Sequence, residues 1–405
     1  MHVAVLGAGV VGITTAYYLA QRGHTVTVID QAGEVASGTS HANGGQLSYS
    51  FTDALARPEF VARIPALLLG ADPAIQVRKT IGAGLCRWGF DFLRQCTSRR
   101  ANANTVAVLK LAMRSARLMD SLRSDVPLRF SFAPAGKLLL LSKSAQLDTA
   151  RQLSELKKEN GCETQVLSMA QAGDIEPALA AMRSQYVGAV YAKDDHVADA
   201  NEFSKGMHRW LENDRGVSFR FGDPIRNLAI KNQRLQAIEL SSGSIEVDAA
   251  VACLGVWGAA FLRPLGVDPH VYPVRGYSVT LPLGTNAPSV SVTDLGRRLL
   301  FSRLNGQMRL AGFADFLGFD SRRDPARIRQ MIEIAQDIAP DAADYDAANR
   351  REWGGFRPMT PDGRPRVGST AVEGLFLNTG HGTLGWTLAC ATGHDVAGQV
   401  DRFLS

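Results

Sequence analysis

The chain has 405 residues, of which 45% are hydrophobic and 20% charged, and its formal net charge is +5. A chain of this length and composition is predicted to fold into two globular domains with a sizeable core, which excludes an intrinsically disordered protein. The basic residues form no dense stripe with interleaved aromatic residues, so no nucleic-acid partner is expected.

Cysteine usage and hydropathy indicate the cellular compartment. The five cysteines have neither a C-x-x-C pair nor a zinc-like spacing, and they are Cys86, Cys96, Cys162, Cys253 and Cys390. We therefore expect free thiols in a reducing compartment and no bound metal. No signal-like segment precedes the first predicted strand, and no stretch reaches the ~18 apolar residues that span a bilayer. The sequence predicts a cytoplasmic protein that meets a membrane only at its surface.

The N-terminal segment has the pattern of a nucleotide-binding βαβ unit. Residues 3–6 form an apolar, strand-like run, the glycine motif G-x-G-x-x-G follows at 7–12, and residues 13–21 are typical of an amphipathic helix. A second strand is predicted at 25–29 and ends at Asp30. The glycine motif in this strand–turn–helix context predicts a dinucleotide-binding site.

Each residue type in this unit has a physical role. Gly7 permits the tight turn, Gly9 lets the backbone approach a pyrophosphate, and Gly12 lets the helix pack close to the strand. The N-terminus of the helix favours the phosphate charge. The Asp30 carboxylate is expected to accept hydrogen bonds from a ribose 2′-hydroxyl. The other candidate cofactor-binding residues of this unit are Ala8, Val10, Val11 and Gln31.

A run of small and hydroxyl residues at 37–46 bears on the choice between NAD and FAD. Its sequence, S-G-T-S-H-A-N-G-G-Q, supplies donors for a phosphate and glycines that let a flat ring approach the backbone. An NAD domain has no need of such a loop, so the run favours FAD. A surface loop rich in turn-forming residues is the alternative. The candidate cofactor-binding residues are Ser37, Thr39, Ser40, Asn43, Gly44, Gly45 and Gln46.

The second half of the chain is predicted to return to the nucleotide-binding sheet. A candidate helix at about 203–213 and short strands from 217 to 240 lead to a buried strand at 246–255 that ends in glycine. This alternation of helix and strand is typical of an α/β sheet. The candidate cofactor-binding residues here are Cys253, Leu254, Gly255 and Trp257.

A further glycine-rich loop lies near the end of the sequence. A strand at 375–378 leads into T-G-H-G-T-L-G-W-T at 379–387, and a final helix is predicted from about 387 to 403. The start of this helix would place N–H groups and a partial positive charge at a flavin N1–C2=O edge, which becomes negative on reduction. The candidate residues of this region are Gly355, Gly380, His381, Gly382, Thr383, Leu384, Gly385, Trp386 and Thr387.

Six sequence blocks carry a resemblance that covers the whole chain. They are V-L-G-A-G-V-V-G at 5–12, T-V-I-D at 27–30, A-N-G-G-Q at 42–46, Y-P-V-R-G-Y-S at 272–278, R-P-M-T-P-D-G at 357–363 and N-T-G-H-G-T-L-G-W-T at 378–387. On these blocks the chain resembles the FAD-dependent D-amino acid oxidase superfamily, and within it the bacterial D-amino acid dehydrogenases of the small-subunit type. Agreement over six ordered blocks is far more specific than the glycine motif alone.

The resemblance implies a mixed α/β fold with two domains. The first is a discontinuous, Rossmann-like FAD-binding domain formed by residues 1–50, 190–265 and 350–405. The second is a substrate-binding domain with a large mixed β-sheet, formed by residues 51–189 and 266–349.

The resemblance also implies the reaction and the attachment of the cofactor. A D-amino acid would lose a hydride from Cα to flavin N5, and water would hydrolyse the imino acid to a 2-oxo acid and ammonia. No dedicated general base stands out in the sequence. Some relatives attach the flavin through a cysteine just before the M-T-P-D stretch, a position that holds Gly355 here. Non-covalent FAD is therefore expected.

The catalytic candidates are Arg357, Tyr277 and Gln46. Arg357, in a glycine- and proline-rich loop, is expected to hold the substrate carboxylate through its planar fork; a structural arginine is the alternative. Tyr277 opens an alternating strand, from which its hydroxyl reaches the substrate or its ring joins the core. Gln46 and His381 are expected to line the flavin face or the pocket, and for His381 a role in positioning the backbone is favoured over one in proton transfer.

The stretch 57–100 is both basic and amphipathic. It has three acidic residues and eight basic ones, which are Arg57, Arg63, Arg78, Lys79, Arg87, Arg94, Arg99 and Arg100. Trp88 and Phe92 within it are expected to be exposed. Such a segment can lie on an anionic membrane, whereas core helices with a solvated basic face are the alternative. The resemblance implies peripheral contact with the cytoplasmic face of the inner membrane and a quinone or other respiratory-chain electron acceptor.

Other functions stay open on the sequence alone. An oxidase or dehydrogenase for glycine, sarcosine, D-proline or D-hydroxyproline would use the same kind of site. A flavin-binding subunit of a larger complex is a second alternative, and the sequence is compatible with a homo- or a hetero-oligomer. An NAD-dependent dehydrogenase fits least, because the late glycine-rich loop would then have no purpose. The preferred substrate side chain is not predicted.

Overall fold

The computed structural model describes residues 1–78 and 82–405. These residues form twenty strands, which are β1 (His2–Leu6), β2 (Thr25–Asp30), β3 (Gln46–Leu47), β4 (Phe132–Ala133), β5 (Lys137–Leu141), β6 (Gln165–Leu167), β7 (Gly188–Ala192), β8 (His196–Ala198), β9 (Ser218–Phe221), β10 (Ile225–Lys231), β11 (Arg234–Leu240), β12 (Gly243–Glu246), β13 (Ala249–Ala252), β14 (Tyr272–Pro282), β15 (Ser291–Asp294), β16 (Leu299–Leu304), β17 (Gln307–Asp315), β18 (Arg351–Met359), β19 (Arg366–Ser369) and β20 (Leu375–Thr379).

The described residues also form eleven α-helices. These are α1 (Val10–Gln21), α2 (Pro58–Val61), α3 (Ile64–Leu68), α4 (Ala83–Gln95), α5 (Ser98–Asp125), α6 (Ser144–Lys158), α7 (Met169–Ile175), α8 (Ala200–Arg215), α9 (Gly258–Leu262), α10 (Pro325–Ile338) and α11 (Gly385–Leu404). Short 3-10 helices lie at Pro177–Gln185, Arg263–Leu265 and Gly382–Leu384.

A six-stranded sheet carries the N-terminal glycine motif. Its strand order is β19-β20-β13-β1-β2-β9, and every neighbouring pair is parallel except β19 and β20. Val3 and Val5 of the central strand β1 point into a core formed with α1, α5, α8 and α11. Ala4 and Leu6 point to the other face, where they pack on the antiparallel sheet β10-β11-β12. Burial on both faces explains why this strand is apolar throughout.

The second large sheet has eight strands in the order β18-β14-β17-β16-β15-β5-β7-β6. It is mixed, because β15 and β5 are parallel whereas the other neighbours are antiparallel. One face packs against α7 and α10 through core residues such as Val279, Leu310 and Met331. A small sheet, β3-β8-β4, adds a third β-layer. The mixed α/β fold with a nucleotide-binding sheet and a large mixed sheet is therefore confirmed.

The predicted segment boundaries do not coincide with the sheets at every element. β18 lies within the predicted 350–405 segment, yet it pairs with β14 in the eight-stranded sheet. β7 crosses the predicted boundary at residue 190 and belongs to the same sheet. α5 lies within the predicted 51–189 segment, yet it buries Val108 and Met119 in the core of the six-stranded sheet. A chain that passes repeatedly between two cores can place single elements in either one, and composition does not mark these crossings.

Helix α4, within the basic stretch 57–100, buries two aromatic residues that the sequence predicts to be exposed. The prediction that Trp88 and Phe92 are exposed is wrong, since each is only 5% exposed. Their rings stack with centroids 5.1 Å apart, and Trp88 Nε1 donates a hydrogen bond to the Met359 carbonyl at 2.8 Å. The four-residue spacing puts both rings on one side of the helix, which faces the protein. Lys79 of this stretch lies outside the described residues.

Candidate active site

A cavity of about 930 Å³ is lined by residues of both large sheets. Its wall consists of the turn before α1, the loop at 37–46, the chain after β13, the start of α11 and one face of the eight-stranded sheet. The fold thus brings the early and late glycine-rich segments together around a single space.

Most of the predicted site residues line this cavity. They are Gly7, Gly9, Val10, Val11, Asp30, Gln31, Ser37, Thr39, Ser40, Asn43, Gly44, Gly45, Gln46, Cys253, Leu254, Gly255, Trp257, Tyr277, Gly355, Arg357, His381, Gly382, Thr383, Leu384, Gly385 and Trp386. Four predicted residues do not line it, which are Ala8, Gly12, Gly380 and Thr387. Thr387 contacts a lining residue instead, because its hydroxyl oxygen accepts a hydrogen bond from the Ser48 N–H at 3.0 Å.

The turn between β1 and α1 has the geometry of a pyrophosphate-binding site. Gly7 has a φ of +105°, and a Cβ there would lie 2.6 Å from the Cys253 carbonyl oxygen. A Cβ on Gly12 would overlap the carbonyl oxygen of Gly7. Helix α1 starts after Gly9, which has no side chain to cap it, and its first turn has no acidic residue. The positive end of its dipole is therefore open to an anion, which fits the phosphates of a dinucleotide.

Two polar side chains hold this turn in place. The Asp30 carboxylate accepts hydrogen bonds from the Ala8 N–H at 2.8 Å and from the Ala32 N–H at 2.9 Å. Ser40 Oγ accepts a hydrogen bond from the Val10 N–H at 3.0 Å and so ties the loop to α1. Asp30 thus has a structural role, and its oxygens keep lone pairs that a ribose hydroxyl can use.

The loop at 42–46 lies close against the eight-stranded sheet. Ser278 Oγ on β14 donates a hydrogen bond to the Ala42 carbonyl at 2.6 Å. A Cβ on Gly44 would lie 2.8 Å from Leu300 Cδ2 on β16. A larger residue at position 44 would require the Leu300 side chain to shift, so glycine favours this close approach.

The start of α11 forms a second glycine-rich part of the wall. The 3-10 turn Gly382–Leu384 leads into α11, whose first turn has no acidic residue. His381 precedes this turn, and its Nε2 shares a hydrogen bond with Thr392 Oγ1 at 3.0 Å. Burial lowers the pKa of His381 to about 3, so the imidazole is neutral at physiological pH. Its geometry is that of a residue that positions the turn.

Arg357 lies on β18, so the prediction that it lies in a loop is wrong. Its Nη2 donates a hydrogen bond to the Gly312 carbonyl at 3.2 Å, and Nη1 donates to the Phe313 carbonyl. The guanidinium lies over Gly276, where a Cβ would overlap its central carbon. Burial lowers the pKa of Arg357 to about 10, so the side chain stays a cation at neutral pH. No carboxylate in the described part of the chain forms an ion pair with it.

Tyr277 lies inside β14 rather than at its start, and it is buried. Its hydroxyl donates a hydrogen bond to Asp315 Oδ2 at 2.9 Å, and Arg327 binds the same carboxylate at 2.6 and 3.0 Å. Burial and the Asp315 charge raise the pKa of Tyr277. The residue lines the cavity, but its hydroxyl is engaged in a buried ion-pair network.

Gln46 and a lysine that no motif marks form a polar cluster in the cavity wall. Gln46 Nε2 donates a hydrogen bond to Ser291 Oγ at 2.6 Å, and its Oε1 accepts one from Lys137 Nζ at 3.0 Å. Lys137 Nζ also donates to Ser48 Oγ at 2.9 Å. The only signal in the sequence is a charged residue at the head of the apolar run K-L-L-L-L at 137–141; lysine is rarely buried unless it is paired.

The rest of the wall is largely apolar. Aromatic residues that the sequence did not predict line it, and they are Phe51, Phe60, Phe261, Phe313, Phe316, Trp353 and Phe356. They come from separate segments of the chain, so no local pattern identifies them. An apolar wall around a few polar groups is the usual composition of a small-molecule site and limits the access of water.

Comparison with curated proteins identifies relatives along the whole chain. A family model described as FAD dependent oxidoreductase (DAO) matches residues 2–399. D-amino acid dehydrogenase 2 of Ralstonia nicotianae is 39% identical over 99% of this chain and 97% of that protein. The D-amino acid dehydrogenase of Paramagnetospirillum magneticum is 36% identical over 99% of this chain and 95% of that protein.

Solved structures share the fold. Glycine oxidase from Geobacillus kaustophilus superposes with a TM-score of 0.77 at 22% identity, covering 99% of this chain and 94% of that one. L-proline dehydrogenase from P. horikoshii superposes with a TM-score of 0.76 at 19% identity, covering 98% and 92%. At these identities the likeness shows the fold alone. With the family model and the curated relatives, it follows that the chain belongs to the FAD-dependent oxidoreductase (DAO) family and is an enzyme with FAD as its cofactor.

Proposed function

We propose that this protein oxidises D-amino acids at the α-carbon to imino acids, which water hydrolyses to 2-oxo acids and ammonia. FAD, when bound, supplies the acceptor for the hydride. The observation that carries the proposal is Arg357, a cation in the cavity wall with no carboxylate partner among the described residues. The preference for the D form is supported by the curated relatives, which are named D-amino acid dehydrogenase.

Arg357 has the donors that an α-carboxylate needs. A guanidinium has five N–H donors. Two hydrogen bonds fix the Arg357 side chain on the carbonyls of Gly312 and Phe313, so three donors remain for a ligand. A carboxylate bound by two parallel N–H groups neutralises the cation and orients the substrate. An unpaired cation in such a wall is unfavourable, and a bound carboxylate removes that cost.

Two glycines let side chains of the wall pack directly on the backbone. A Cβ on Gly276 would overlap the guanidinium, and a Cβ on Gly355 would overlap the Trp353 ring. The Arg357 and Trp353 side chains therefore lie against β14 and β18 in positions that a side chain at either glycine would block. The aromatic wall excludes water from the reacting carbon and favours a single orientation of the Cα–H bond.

The proton of the substrate amine is proposed to leave to water. Asp294 is a carboxylate in this part of the wall, but it accepts a hydrogen bond from the Tyr186 hydroxyl at 2.7 Å and pairs with Arg297 at 3.1 Å. His381 is neutral and hydrogen-bonded to Thr392. We therefore assign neither residue the role of a dedicated base.

The carboxylate role of Arg357 is tested by substitution on one strand. Arg357→Ala is expected to lower kcat/KM for D-amino acids by about 100-fold or more, because a buried charge pair is lost. The variant should keep its FAD, measured by flavin absorbance per protein. Arg351→Ala is the matched control, since Arg351 is an exposed arginine on the same strand outside the cavity. Normal turnover by Arg357→Ala would refute the role.

FAD is proposed to be held without a covalent bond. Position 355 has no side chain, and of the five cysteines only Cys253 lines the cavity. Burial raises the pKa of Cys253 to about 12, and its Sγ donates to Thr15 Oγ1 at 3.7 Å. Because the thiolate is the reactive form, this thiol is inert at neutral pH. Acid precipitation should leave the flavin in the supernatant, and a yellow pellet would contradict this.

The outer face of α4 is proposed to contact the membrane surface. Phe90 is 62% exposed, and Leu93 is also exposed one turn later on the same side. Arg94 is exposed and lies over the Phe90 ring, and Arg87 is exposed but pairs with Asp268 at 2.9 Å. Apolar and basic side chains on one helix face suit an anionic bilayer surface. Within the described ranges, no helix has the length and apolar character needed to cross a bilayer.

Vesicle binding tests the membrane proposal. Wild-type protein should sediment with vesicles of phosphatidylglycerol and phosphatidylethanolamine more than with phosphatidylcholine alone. The double substitution Phe90→Asp and Leu93→Asp should abolish this difference, whereas Val187→Asp, an exposed apolar residue elsewhere, should not. Sedimentation of the double variant with wild-type efficiency would exclude α4 as the contact.

A quinone is the proposed electron acceptor. The resemblance to dehydrogenases and the exposed face of α4 support an acceptor in the membrane. Reduced enzyme should be reoxidised by a water-soluble quinone analogue much faster than by air-saturated buffer. Rapid production of hydrogen peroxide would instead indicate an oxidase.

A further inference from the structure

Apolar side chains follow the strand residues that hold Arg357. The guanidinium is bonded to two carbonyls of β17, and the chain continues through Ala314 and Asp315 to Phe316. Ala314 and Phe316 line the cavity, whereas Asp315 between them is fully buried. Successive side chains of an extended strand point to opposite faces. The cavity wall that continues from the carboxylate anchor is therefore formed by Ala314 and Phe316.

A second segment runs beside this stretch and adds another apolar side chain. The Ala314 N–H donates a hydrogen bond to the Ala74 carbonyl at 2.9 Å, and the Phe316 N–H donates one to the Gln76 carbonyl at 2.7 Å. Ile75 lies between these two acceptors, is 4% exposed and lines the cavity. The backbone pairing thus holds Ile75 beside Ala314 and Phe316 in the wall.

The buried face of α4 supports this part of the wall from the protein side. The Trp88 ring lies 6.0 Å from the Phe316 ring, and the Phe92 ring lies 5.1 Å from the Phe60 ring, measured between centroids. Phe60 and Met359 pack on the same buried cluster and line the cavity. The lining side chains of this region, called the apolar pocket below, are Phe60, Ile75, Ala314, Phe316 and Met359.

The charged side chains of the cavity wall, apart from Arg357, are engaged within the protein. Asp294 pairs with Arg297 at 3.1 Å, and Arg298 pairs with Asp72 at 3.4 Å. Neither charge is free to bind a charged group of a substrate.

The two remaining charges of the wall are also compensated. The buried Asp195 carboxylate supplies Lys137 with an opposite charge. Asp30, at the nucleotide end, accepts hydrogen bonds from the Ala8 and Ala32 amides. Among the residues that the structure describes, Arg357 is therefore the charge of the wall that a substrate can pair with, and it is assigned to the α-carboxylate.

We propose that the apolar pocket binds the substrate side chain and selects D-amino acids with bulky apolar side chains, such as leucine, methionine and phenylalanine. Such a side chain is removed from water when it packs on Phe316 and Ile75, and its burial is favourable. A polar side chain of the same shape loses its hydrogen bonds to water and finds no partner in the pocket. This inference rests on the proposed function, in which Arg357 holds the α-carboxylate.

The wild-type enzyme tests the inference without any substitution. The second-order rate constant of anaerobic flavin reduction is measured with D-leucine, D-asparagine, D-methionine, D-glutamine and D-alanine. Leucine and asparagine have nearly the same shape, as do methionine and glutamine, so each pair isolates polarity. We expect the apolar member of each pair to react about 10-fold faster or more. D-alanine should be about 10-fold slower than D-leucine, because it buries less apolar surface.

Two kinds of failure can be told apart in this experiment. Equal or faster reduction by the polar member of each pair, or by D-alanine, would overturn the inference and leave the proposed function intact. Absence of reduction by every D-amino acid would overturn both.

A pair of phenylalanine variants assigns the selectivity to the apolar pocket. Phe316→Ala should lower the ratio of kcat/KM for D-leucine over D-alanine by about 10-fold, because the larger side chain loses its contact with the ring. Phe90→Ala is the matched control, because Phe90 is an exposed ring on α4 that does not line the cavity. The ratio should stay near the wild-type value in the control. An unchanged ratio in Phe316→Ala would exclude the assignment, as would an equal loss for both substrates.

A binding measurement covers the case in which Phe316→Ala does not fold. Isocaproate and succinamate are unreactive acids that have the skeletons of leucine and asparagine without the amine. Their dissociation constants for the oxidised wild-type enzyme are obtained from the perturbation of the flavin absorption spectrum. Isocaproate should bind about 10-fold more tightly or better, because its branched end needs no hydrogen-bond partner. Equal affinity for the two acids would contradict an apolar side-chain pocket.

Discussion

The two ends of the cavity are constructed in different ways. At the nucleotide end, the turn at 7–12 and the loop at 37–46 supply backbone groups from one short stretch of the chain. At the substrate end, the Arg357 side chain on β18 is held by carbonyls of β17, a strand that α10 separates from it in sequence. Backbone geometry therefore serves the cofactor, whereas single side chains on paired strands serve the substrate.

This difference has a measurable consequence. Substitutions at the nucleotide end should change how much FAD the protein holds, and they should affect all substrates equally. Substitutions at the substrate end should leave the FAD content unchanged and alter turnover or selectivity. Each of the following predictions separates the two ends.

The largest effect is expected for Gly12→Ala. The added Cβ would overlap the Gly7 carbonyl oxygen, which is rigid backbone, so α1 could not pack in its present position. The purified variant should contain at least about ten-fold less flavin per protein, measured by absorbance. Gly84→Ala is the control, because a Cβ at this helical glycine meets open space. A fully flavinated Gly12→Ala protein would show that the turn is more adaptable than its geometry indicates.

The comparable substitution at the substrate end, Gly276→Ala, should leave the FAD content unchanged. Its Cβ would overlap the Arg357 guanidinium, a side chain that can move aside. Displacement of the carboxylate anchor should lower kcat/KM for every D-amino acid by roughly 100-fold, since small errors in position are costly. FAD content should match the wild type. Joint loss of flavin and activity would show that the two ends are not separable.

The nucleotide end could be predicted from the sequence, because its determinants are local. Gly7, Gly12 and Asp30 follow one another at fixed spacings, and the strand–turn–helix context needs no information from distant residues. Even there, the sequence did not reveal that Asp30 also binds the Ala8 and Ala32 amides.

The substrate end could be predicted only in part. The sequence predicts Arg357 as the residue that holds the substrate carboxylate, but the glycine and proline residues around it indicate a loop. The structure places it on β18, an edge strand, where proline is tolerated because one side of the strand has no partner. The only sequence signal for Lys137 is a charge at the head of an apolar run, because its position beside Gln46 depends on contacts between distant segments.

The basic stretch shows a different limit of prediction. Helix α4 has aromatic residues on two faces, Trp88 and Phe92 on one and Phe90 on the other. Hydrophobic periodicity cannot decide which face turns inward. The choice is made by tertiary contacts, here the packing of Trp88 beneath Met359.

The smallest effect is expected for Asp30→Asn at the nucleotide end. The amide keeps the shape of the carboxylate but weakens the hydrogen bonds to the turn and to a ribose hydroxyl. The dissociation constant for FAD should rise roughly 5- to 10-fold, measured by fluorescence titration of the apoprotein. Asp214→Asn, an exposed position at the end of α8, serves as the control. Unchanged FAD affinity would remove Asp30 from the cofactor site.

The most direct test of the central claim is anaerobic mixing of the purified flavoprotein with matched D- and L-amino acids while the flavin absorbance is recorded. The account predicts rapid bleaching by D-amino acids, none by their L forms, and loss of the fast phase in Arg357→Ala. Bleaching by L forms, or a bound flavin that no D-amino acid reduces, would contradict it.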